Sequence, residues 1–344
     1  MKEKVLLGMS GGVDSSTAAI LLKNQGYEVI GITFNMFNSE SNTYEDAKKV
    51  CEKLKIKHIT ENIESDFKKC VIDNFISEYS ICSTPNPCIE CNKYIKFKKM
   101  YEIAKSLGIN YIATGHYAKI EYDEKYKQKV IKKSNSITKD QTYFLYSIDK
   151  EILDHIIFPL GDFDDKSKIR EIAEEAGLEV SKKPDSQDIC FIKNNDYIKF
   201  LEDSGLKKDK GNIVDKNENV LGKHEGLYKY TIGQRKGLGI AYKHPLYVIG
   251  FNKEKNEVIV GEEKDLYSKE VLIEDYNFLT DNIKDNMEVY AKIRYSQKSN
   301  KATLKILSKD ELLLVFEEPQ RGKTKGQSAV FYDGDILIGG GKIK

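Results

Sequence analysis

Apolar and polar positions alternate over the first 115 or so residues in a pattern typical of repeated β–α units. Short apolar runs predict strands at 5–9, 28–34, 57–59 and 111–114. Helical spacing predicts helices at 15–25, 43–54, 65–79, 94–107, 165–176 and 196–203. Because parallel strands need crossover connections, these elements predict an α/β fold with a doubly wound parallel sheet covered by helices on both faces.

The pattern changes after about residue 205, where a polar joint at 207–212 leads into short strands bounded by turn residues. Strands are predicted at 213–214, 247–251, 257–260, 289–294, 302–306, 312–316, 329–333 and 336–339. Their spacing is typical of small antiparallel barrels or sandwiches. We therefore predict an α/β domain at 1–205, a small β-rich domain at 206–265 and an antiparallel β domain at 266–344.

The overall charge of the 344 residues is close to neutral, with 55 Lys and Arg against 54 Asp and Glu and a net charge of +1. Net charge therefore gives no sign of a nucleic-acid binder. Hydrophobic residues make up 40% of the chain, enough for ordinary cores. No apolar run approaches the ~20 residues that span a bilayer. The chain has 6 cysteines and no secretory signal, which predicts a cytoplasmic protein with thiols available for chemistry.

The strongest local motif lies between the first predicted strand and helix. It consists of Gly8, Met9, Ser10, Gly11, Gly12, Val13, Asp14 and Ser15. Glycines let the backbone curl so that successive N–H groups face an anion, and the following helix adds its dipole. A plain strand-to-helix turn explains the glycines but not the serines and Asp14 in this order. P-loop and dinucleotide fingerprints are absent, and Ser-Gly-Gly-x-Asp-Ser instead resembles the PP-loop of ATP pyrophosphatases, which split ATP into AMP and pyrophosphate.

A second motif places Cys88 and Cys91 in a loop stiffened by two prolines. We predict that Cys91 lies near the start of the 94–107 helix, where the helix dipole and Lys93 lower its pKa. Cys-x-x-Cys alone is compatible with half a zinc site, a redox pair or chance. The chain has no second copy that would complete a zinc ribbon.

Two further segments complete the candidate site. Cys190 lies in an Ile-Cys-Phe-Ile run, where a buried structural cysteine is the default, and only its combination with Cys91 indicates a partner thiol. Residues 114–118 end a predicted strand, which is where doubly wound folds bind ligands, and a Lys-Asp-Gln motif follows at 139–141. The other cysteines, Cys51, Cys70 and Cys82, are predicted to be structural.

These motifs together resemble the bacterial tRNA-specific 2-thiouridylase family, which thiolates the wobble uridine of certain tRNAs. The matching motifs are Gly-Met-Ser-Gly-Gly-Val-Asp-Ser-Ser, Thr-Pro-Asn-Pro-x-x-x-Cys-Asn, Ala-Thr-Gly-His-Tyr-Ala, Lys-Asp-Gln-x-Tyr-Phe-Leu, Asp-Ser-x-x-Ile-Cys-Phe-Ile, Tyr-Thr-Ile-Gly-Gln-Arg-Lys-Gly-Leu and Gly-Gln-Ser-Ala-Val-Phe-Tyr. The resemblance covers nearly the whole chain. It implies a PP-loop domain, a small central domain and a C-terminal β-barrel that binds tRNA. The implied reaction is adenylation of the uridine C2 oxygen by ATP, followed by sulfur transfer with release of AMP and pyrophosphate.

The resemblance also assigns roles to residues. Cys190 would carry a persulfide, and Cys91 would resolve it or attack the activated base. ATP would lie against residues 8–15, with Gly115 nearby and Phe34 at the adenine, where the family usually has Met. The implied tRNA contacts are Asn86, Pro87, Cys88, His116, Lys139, Asp140, Gln141, Arg294, Tyr295 and Gln327.

ATP, Mg²⁺, tRNA and a sulfur donor are the implied cofactors and partners. The tRNAs would be the Lys, Glu and Gln isoacceptors, and the donor a cysteine desulfurase or a sulfur-relay protein. Within 291–307, basic side chains occur without an acidic one. These are Lys292, Arg294, Lys298, Lys301 and Lys305. Such a run is by itself more often a solvated strand face, and it is the resemblance that implies a surface for tRNA phosphates. The glycine-containing segment 222–239 is expected to be a mobile loop that becomes ordered when RNA binds.

Cys88 departs from the family pattern, in which many members carry Asp. Together Cys88, Cys91 and Cys190 would supply three ligands for a [4Fe-4S] cluster with one iron open to sulfide, whereas a persulfide relay needs only two of them. Both alternatives stay open on the sequence. Two other classes share the loop: an amidotransferase-type synthetase or lysidine-type ligase, and a tRNA-binding module with a relic nucleotide loop. The paired cysteines argue against the first and the intact loop against the second.

Overall fold

The structure, a computed structural model, describes residues 2–37, 43–182 and 189–344. Its α-helices are Val13–Asn24, Thr43–Leu54, Glu64–Phe67, Asp73–Ser80, Pro87–Glu90, Met100–Ser106, Lys166–Glu175 and Tyr197–Asp203. π-Helical stretches at Lys68–Ile72 and Cys91–Lys99 make 64–80 and 87–106 continuous. Short 3₁₀ turns are Thr142–Phe144, Lys150–His155, Glu179–Lys182, Lys193–Asn195, Leu227–Lys229 and Glu263–Leu266. No helix in these ranges is long and apolar enough to cross a membrane.

The strands fall into three sheets. They are β1 (Lys4–Gly8), β2 (Glu28–Asn35), β3 (Lys57–Asn62), β4 (Tyr111–Ala113), β5 (Ala118–Asp123), β6 (Gln128–Lys133), β7 (Ile156–Ile157), β8 (Gly211–Val214), β9 (Val220–His224), β10 (Tyr247–Asn252), β11 (Glu257–Gly261), β12 (Tyr267–Phe278), β13 (Met287–Lys292), β14 (Asn300–Ile306), β15 (Glu311–Arg321), β16 (Ser328–Asp333) and β17 (Ile336–Ile343). Most coincide with predicted strands, whereas β5, β6, β7, β9 and β12 were not predicted.

The first sheet has the order β3-β2-β1-β4-β7, and all its pairings are parallel. This confirms the predicted doubly wound α/β fold. Val5, Leu6 and Leu7 of β1 are fully buried because helices cover both faces of the sheet. The carboxyl ends of β1, β2 and β4 therefore meet at one edge, where the candidate motifs follow each strand.

The C-terminal strands close into a six-stranded antiparallel barrel in the order β12-β15-β14-β13-β16-β17, with β12 pairing again to β17. This confirms the predicted barrel. The hairpin formed by β5 and β6 extends the barrel sheet, since Ile131 pairs with Leu337. Apolar side chains from both halves form one core, in which Leu6 belongs to the same buried cluster as Tyr332. The domain limits of the sequence analysis stay a prediction.

The small central sheet has the order β10-β11-β8-β9. Part of the segment 222–239, expected to be mobile, is hydrogen-bonded to this sheet. The N–H of Gly233 donates to the Val248 carbonyl at 2.8 Å, and the N–H of Val248 donates to the Gln234 carbonyl at 3.0 Å. These paired backbone groups connect this part of the segment to the central sheet.

Candidate active site

The phosphate loop connects β1 to the Val13–Asn24 helix. Gly11 has φ +70°, a left-handed conformation that glycine adopts without steric cost. Gly12 is the N-cap of the helix and provides no capping side chain, so the first N–H groups of the helix face the loop. The hydroxyl oxygens of Ser10 and Ser15 lie 3.3 Å apart at the mouth of this turn. The arrangement combines backbone donors, hydroxyl groups and a helix N-terminus, which suits a phosphate group.

Asp14 is held from two directions. The Tyr117 hydroxyl donates to Asp14 Oδ1 at 2.8 Å, and Lys166 Nζ lies 2.8 Å from Asp14 Oδ2. Gln141 supports the tyrosine, because its Oε1 accepts from the Tyr117 N–H at 2.9 Å. A Cβ on Gly115 would lie 3.0 Å from the Asp14 carbonyl carbon, so the lack of a side chain here lets the two segments pack closely. The motifs at 114–118 and 139–141 therefore buttress the phosphate loop.

Lys166 was not singled out by the sequence analysis. It lies in the first turn of a helix that the periodicity predicted, but a lysine in an exposed helical turn carries no distinctive signal. Only the fold places its ammonium group beside Asp14.

Phe34 links the sheet edge to the cysteines. It lies near the end of β2, is partly buried, and packs against an apolar cluster that contains Cys91 and Ile95. The preceding Thr33 donates its hydroxyl to the carbonyl of Met9 in the phosphate loop at 2.8 Å. The carboxyl end of β2 thus contacts the phosphate loop and packs against the apolar cluster to which Cys91 belongs.

The cysteine helix begins earlier than predicted, at Pro87. Asn86 is its N-cap, with the side-chain oxygen accepting from the Cys88 N–H at 3.2 Å. Cys88 lies in the first turn and is exposed, whereas Cys91 lies one turn later and is buried. Asn86 and Pro87, predicted to contact tRNA, therefore shape the start of this helix.

The predicted lowering of the Cys91 pKa is wrong. Burial raises the pKa of the Cys91 thiol to about 12, and Cys190 and Cys88 add to the rise while Lys96 opposes it. Because the helix starts four residues upstream, Cys91 is beyond the turn where the dipole acts most strongly. Lys93 lies over the Tyr94 ring, 5.1 Å from its centroid.

Cys190 joins the same group of thiols. Burial raises its pKa, Cys88 adds to the rise, and Lys96 opposes it, so one lysine acts on both Cys91 and Cys190. The chain beside it is anchored by Phe191, whose ring lies 5.4 Å from that of Phe75. The three cysteines that the sequence analysis selected therefore influence one another electrostatically. Residues 183–188 of this motif lie outside the described residues.

All six cysteines are free thiols. Cys51 is buried, and its burial raises its pKa to about 11. Cys70 and Cys82 are partly buried, and burial raises their pKa values too.

The barrel contacts the cysteine loop directly. Gln327 Nε2 donates to the Thr84 carbonyl at 2.8 Å, and the Thr84 N–H donates to the Lys325 carbonyl at 2.8 Å. A Cβ on Gly326 would lie 2.1 Å from Ser83 Oγ, so the two segments are in close contact. Gln327, predicted to contact tRNA, is here bound to the loop that precedes Cys88.

Arg294 is committed to contacts within the chain. Its guanidinium group donates to the Thr324 hydroxyl at 2.7 Å, and to the carbonyls of Gly322 and Ile232 at 3.1 Å each. The adjacent Tyr295 is 40% exposed, and its ring centroid lies 4.6 Å from that of Phe144. Tyr295 therefore presents an aromatic surface, while Arg294 joins the central sheet to the barrel.

Two of the predicted tRNA contacts are interior residues. His116 is buried and its Nδ1 lies 2.7 Å from the Thr114 hydroxyl, while burial and Lys96 hold its pKa well below the usual value. Asp140 is buried and accepts from the Thr142 hydroxyl at 2.7 Å. Lys139 is half-buried. That His116, Lys139 and Asp140 contact tRNA stays a prediction. The burial of His116 and Asp140 argues against such a contact for these two residues.

Some of the basic side chains at 291–307 already contact other groups of the chain, although the segment itself contains no acidic residue. Lys301 pairs with Glu288 at 3.0 Å and with Glu317 at 3.1 Å, both from neighbouring strands. Lys292 lies over the Tyr295 ring, 5.3 Å from its centroid, and is partly buried. Lys298 is exposed. Cross-strand neighbours thus neutralise part of a segment that contains no acidic residue itself.

The fold and site define an ATP-utilising protein of the PP-loop class that carries a group of interacting thiols. Family models match in three consecutive blocks: the tRNA methyl transferase HUP domain at 3–194, the tRNA methyl transferase PRC-barrel domain at 198–262 and the aminomethyltransferase beta-barrel domain at 268–343. The tRNA-specific 2-thiouridylase MnmA of Clostridioides difficile (strain 630) is 47% identical over 357 residues, covering 100% of this chain and 99% of the relative. The protein of that name from Acetivibrio thermocellus is 48% identical over 358 residues, with the same coverage. The chain belongs to the tRNA-specific 2-thiouridylase family.

Solved structures are more distant. The NMN synthetase from Francisella tularensis is 18% identical, with a TM-score of 0.35, and the match covers 54% of this chain and 67% of that one. A similarity of this size carries no argument about function.

Proposed function

We propose that this protein converts the wobble uridine of tRNA to 2-thiouridine, using ATP to activate the C2 oxygen. One observation supports the proposal: the phosphate loop follows β1, and Phe34 at the end of the adjacent strand β2 packs against the apolar cluster that contains Cys91. An ATP-binding loop alone is compatible with many syntheses, and thiols alone with redox chemistry. Their combination suits a reaction that activates an oxygen and replaces it with sulfur.

The first step is adenylation. The uridine, flipped out of the anticodon loop, places its C2 oxygen against the α-phosphate, because a stacked base would not expose this atom. The bond from the α-phosphorus to the bridging oxygen breaks, and pyrophosphate leaves. N–H groups of residues 8–15 would hold the phosphates, and Phe34 would contact the adenine. Mg²⁺ supplies charge neutralisation when bound. Mg²⁺ takes one or two carboxylates along with substrate phosphates, so Asp14 would have to leave Lys166 to hold the ion, because both of its oxygens are engaged.

The second step transfers sulfur. A donor protein that carries a persulfide, such as a cysteine desulfurase or a sulfur-relay protein, passes its terminal sulfur to Cys190, which is the more exposed of the pair. That sulfur attacks uridine C2, and AMP leaves. Cys91 then loses its proton and attacks the Cys190 sulfur, which releases 2-thiouridine and leaves a Cys91–Cys190 disulfide. A dithiol reductant returns both cysteines to thiols, so sulfur and electrons balance.

An iron–sulfur cluster on Cys88, Cys91 and Cys190 is the alternative. The residues that the structure describes contain no group of three His, Cys, Asp or Glu side chains arranged to hold a metal ion. As placed, these cysteines do not fit a cluster, and no step is routed through one. Iron and sulfide analysis of anaerobically reconstituted wild type and Cys88→Ser distinguishes the two routes, since only a cluster requires Cys88.

The tRNA would lie across the α/β domain and the barrel. Tyr295 offers an exposed ring and Lys298 an exposed cation on the barrel side. We propose the Lys, Glu and Gln isoacceptors as substrates, and the cytoplasm as the place of reaction. The domain limits 1–205, 206–265 and 266–344 are part of the same proposal.

The test is an anaerobic reaction with tRNA, ATP and a persulfide source, followed by nucleoside mass spectrometry and measurement of AMP. We expect 2-thiouridine and AMP in equal amounts. Cys190→Ser should release pyrophosphate and leave the uridine adenylated, without 2-thiouridine, because it retains the phosphate loop and AMP leaves only when sulfur attacks. Formation of 2-thiouridine without ATP, or no product with any tRNA, would contradict the proposal.

A further inference from the structure

The turn that carries the two cysteines of the Cys-x-x-Cys motif is held by an ion-pair bridge from the barrel. Lys342 Nζ lies 3.4 Å from Glu90 Oε1 and 3.5 Å from Glu78 Oε1. Glu90 is the residue directly before Cys91, and Glu78 belongs to the helix Asp73–Ser80 that precedes the cysteine loop. One ammonium group therefore joins the two helices on either side of residues 81–86.

The lysine projects from a rigid part of the barrel. Lys342 lies in β17, where its neighbours across the sheet are Glu274 on β12 and Ser328 on β16. This is the strand whose pairing closes the barrel. A strand bonded on both sides moves little, so the backbone position of Lys342 is set by the barrel.

The bridge is shielded from water. The exposed fractions of the side chains are 22% for Lys342, 12% for Glu90 and 17% for Glu78. Burial lowers the pKa of the Lys342 ammonium, but Glu90, Glu78 and Asp275 outweigh it and the net pKa is raised. Lys342 is therefore charged at neutral pH. Ion pairs at this depth are screened much less than surface pairs, and removing one partner leaves uncompensated charge.

A second contact acts on the same loop. Gln327 binds the Thr84 carbonyl, and its backbone is tied to β17 because the Ile343 N–H donates to the Gln327 carbonyl at 2.8 Å. Lys342 on β17 and Gln327, which directly precedes the paired strand β16, thus reach the cysteine loop from neighbouring positions of the barrel. The two contacts differ in chemistry, because Lys342 forms ion pairs and Gln327 forms a hydrogen bond between neutral groups.

From these contacts we infer that Lys342 is a positioning residue for sulfur transfer, which holds the Cys88–Cys91 turn in place through Glu90 and Glu78. This inference rests on the proposed function. The barrel would then have two tasks, since besides binding tRNA it would set the position of the thiols. Lys342 touches no reacting atom and acts only through the two glutamates.

Two measurements on the full-length protein test the inference with Lys342→Met. One is the rate at which iodoacetamide alkylates Cys91, followed by peptide mass spectrometry. The other is kcat and KM for tRNA in 2-thiouridine formation. We expect Cys91 alkylation to rise by about tenfold and kcat to fall by about tenfold, a change equivalent to the weakening of one shielded ion pair. KM for tRNA should stay within about twofold, and Lys342→Arg, which keeps the charge, should restore most of kcat.

Lys344→Met is the matched control. Lys344 lies two residues further along and pairs with Glu311 of the barrel at 2.5 Å, without contacting the cysteine loop. It should leave both the alkylation rate and kcat unchanged. Glu90→Gln, which keeps the lysine and removes one carboxylate, should reproduce the effect of Lys342→Met. If Lys342→Met does not fold, the Glu90→Gln variant tests the inference in its place.

Three results would overturn the inference. The first is that both Lys342→Met and Glu90→Gln keep the wild-type alkylation rate and kcat. The second is that Lys342→Met raises KM for tRNA and leaves kcat unchanged. The third is that Lys342→Arg fails to restore activity. A rise in KM would make Lys342 a tRNA contact instead. If the wild type itself formed no 2-thiouridine, the proposed function would fail. The alkylation rates would then still decide whether Lys342 positions Cys91.

Discussion

The Tyr117 hydroxyl donates a hydrogen bond of 2.8 Å to the Asp14 carboxylate across 103 positions of sequence. Lys166 holds the other carboxylate oxygen at 2.8 Å. The phosphate loop therefore has a carboxylate whose orientation is set by a neutral donor on one side and a cation on the other. Hydrogen bonds to a charged group are about twice as strong as neutral ones, so this orientation is well determined before ATP binds.

Loss of the tyrosine hydroxyl should slow adenylation. In Tyr117→Phe the ring remains but Asp14 loses one donor, and we expect AMP formation with tRNA to fall by about tenfold. Tyr122→Phe, at a tyrosine that is 59% exposed, is the control and should behave as wild type. Equal AMP formation in Tyr117→Phe and wild type would show that the hydroxyl does not orient Asp14 for the reaction.

Substitutions within the loop should separate chemistry from tRNA binding. Asp14→Ala and Ser15→Ala should abolish AMP formation, because both side chains lie in the loop proposed to hold the phosphates. Affinity for tRNA, measured by filter binding, should change by less than about twofold, since the proposed RNA contacts lie elsewhere and binding to RNA depends mainly on phosphate contacts. Wild-type AMP formation in either variant would remove the assignment of the phosphate loop.

Lys96 should control the reactivity of two thiols. It lowers the pKa of both Cys91 and Cys190, and the thiolate is the reactive form. Because the Cys91 pKa is about 12, its alkylation rate should rise by about tenfold per pH unit between pH 7 and 9. In Lys96→Met the pKa of both thiols rises further, so alkylation at a given pH should slow.

Lys98→Met is the control for this experiment. Lys98 lies in the same helical segment but lowers the pKa of Cys70 instead. Its removal should leave Cys91 alkylation unchanged. Equal rates in Lys96→Met and wild type, or a Cys91 rate independent of pH, would contradict the placement of Lys96 beside these thiols.

The salt dependence of tRNA binding should distinguish free from paired lysines in the basic run. Lys298 is exposed, so Lys298→Ala should reduce the slope of log affinity against log salt by about one. Lys301 is already paired with Glu288 and Glu317, and Lys301→Ala should change the slope less. The reverse order of the two effects would show that the ion pairs of Lys301 open when tRNA binds.

Truncation from about residue 266 onward is a poor test of the role of the barrel in tRNA binding. Val330 and Tyr332 of the barrel share a buried cluster with Leu6 of the parallel sheet, and β17 pairs with β6. A truncated chain would expose apolar side chains of the α/β half. Loss of tRNA binding would then follow from loss of the fold, and single substitutions in the barrel avoid this ambiguity.

Local sequence was sufficient to predict features whose residues are contiguous in the chain. The phosphate loop and the parallel sheet could be predicted, because residues 8–15 and the alternating elements carry their own signals. The raised pKa of Cys91 could not be predicted, because it results from burial. The residues that bury Cys91 include Ile63 and Val71, which come from a distant part of the sequence and belong to the same apolar cluster. A residue close to a predicted helix start can lie a full turn inside the real helix.

Contacts between segments that are distant in sequence likewise could not be predicted from local sequence. Gln327 and Arg294 were assigned to tRNA, yet both are hydrogen-bonded within the chain, to Thr84 and to Thr324. The hairpin β5–β6 was missed because its strands are short and polar, and their register follows from pairing with β17. Such partners are known only once the fold has brought the segments together.

The central claim is that ATP activates the C2 oxygen of uridine, which the sulfur then replaces. It is tested most directly with a tRNA whose wobble uridine carries ¹⁸O at C2, in a reaction with ATP and a persulfide source. If the oxygen attacks the α-phosphate and leaves with it, the AMP released by the protein must contain one ¹⁸O atom for each 2-thiouridine formed. Formation of 2-thiouridine together with AMP that lacks ¹⁸O would contradict the account.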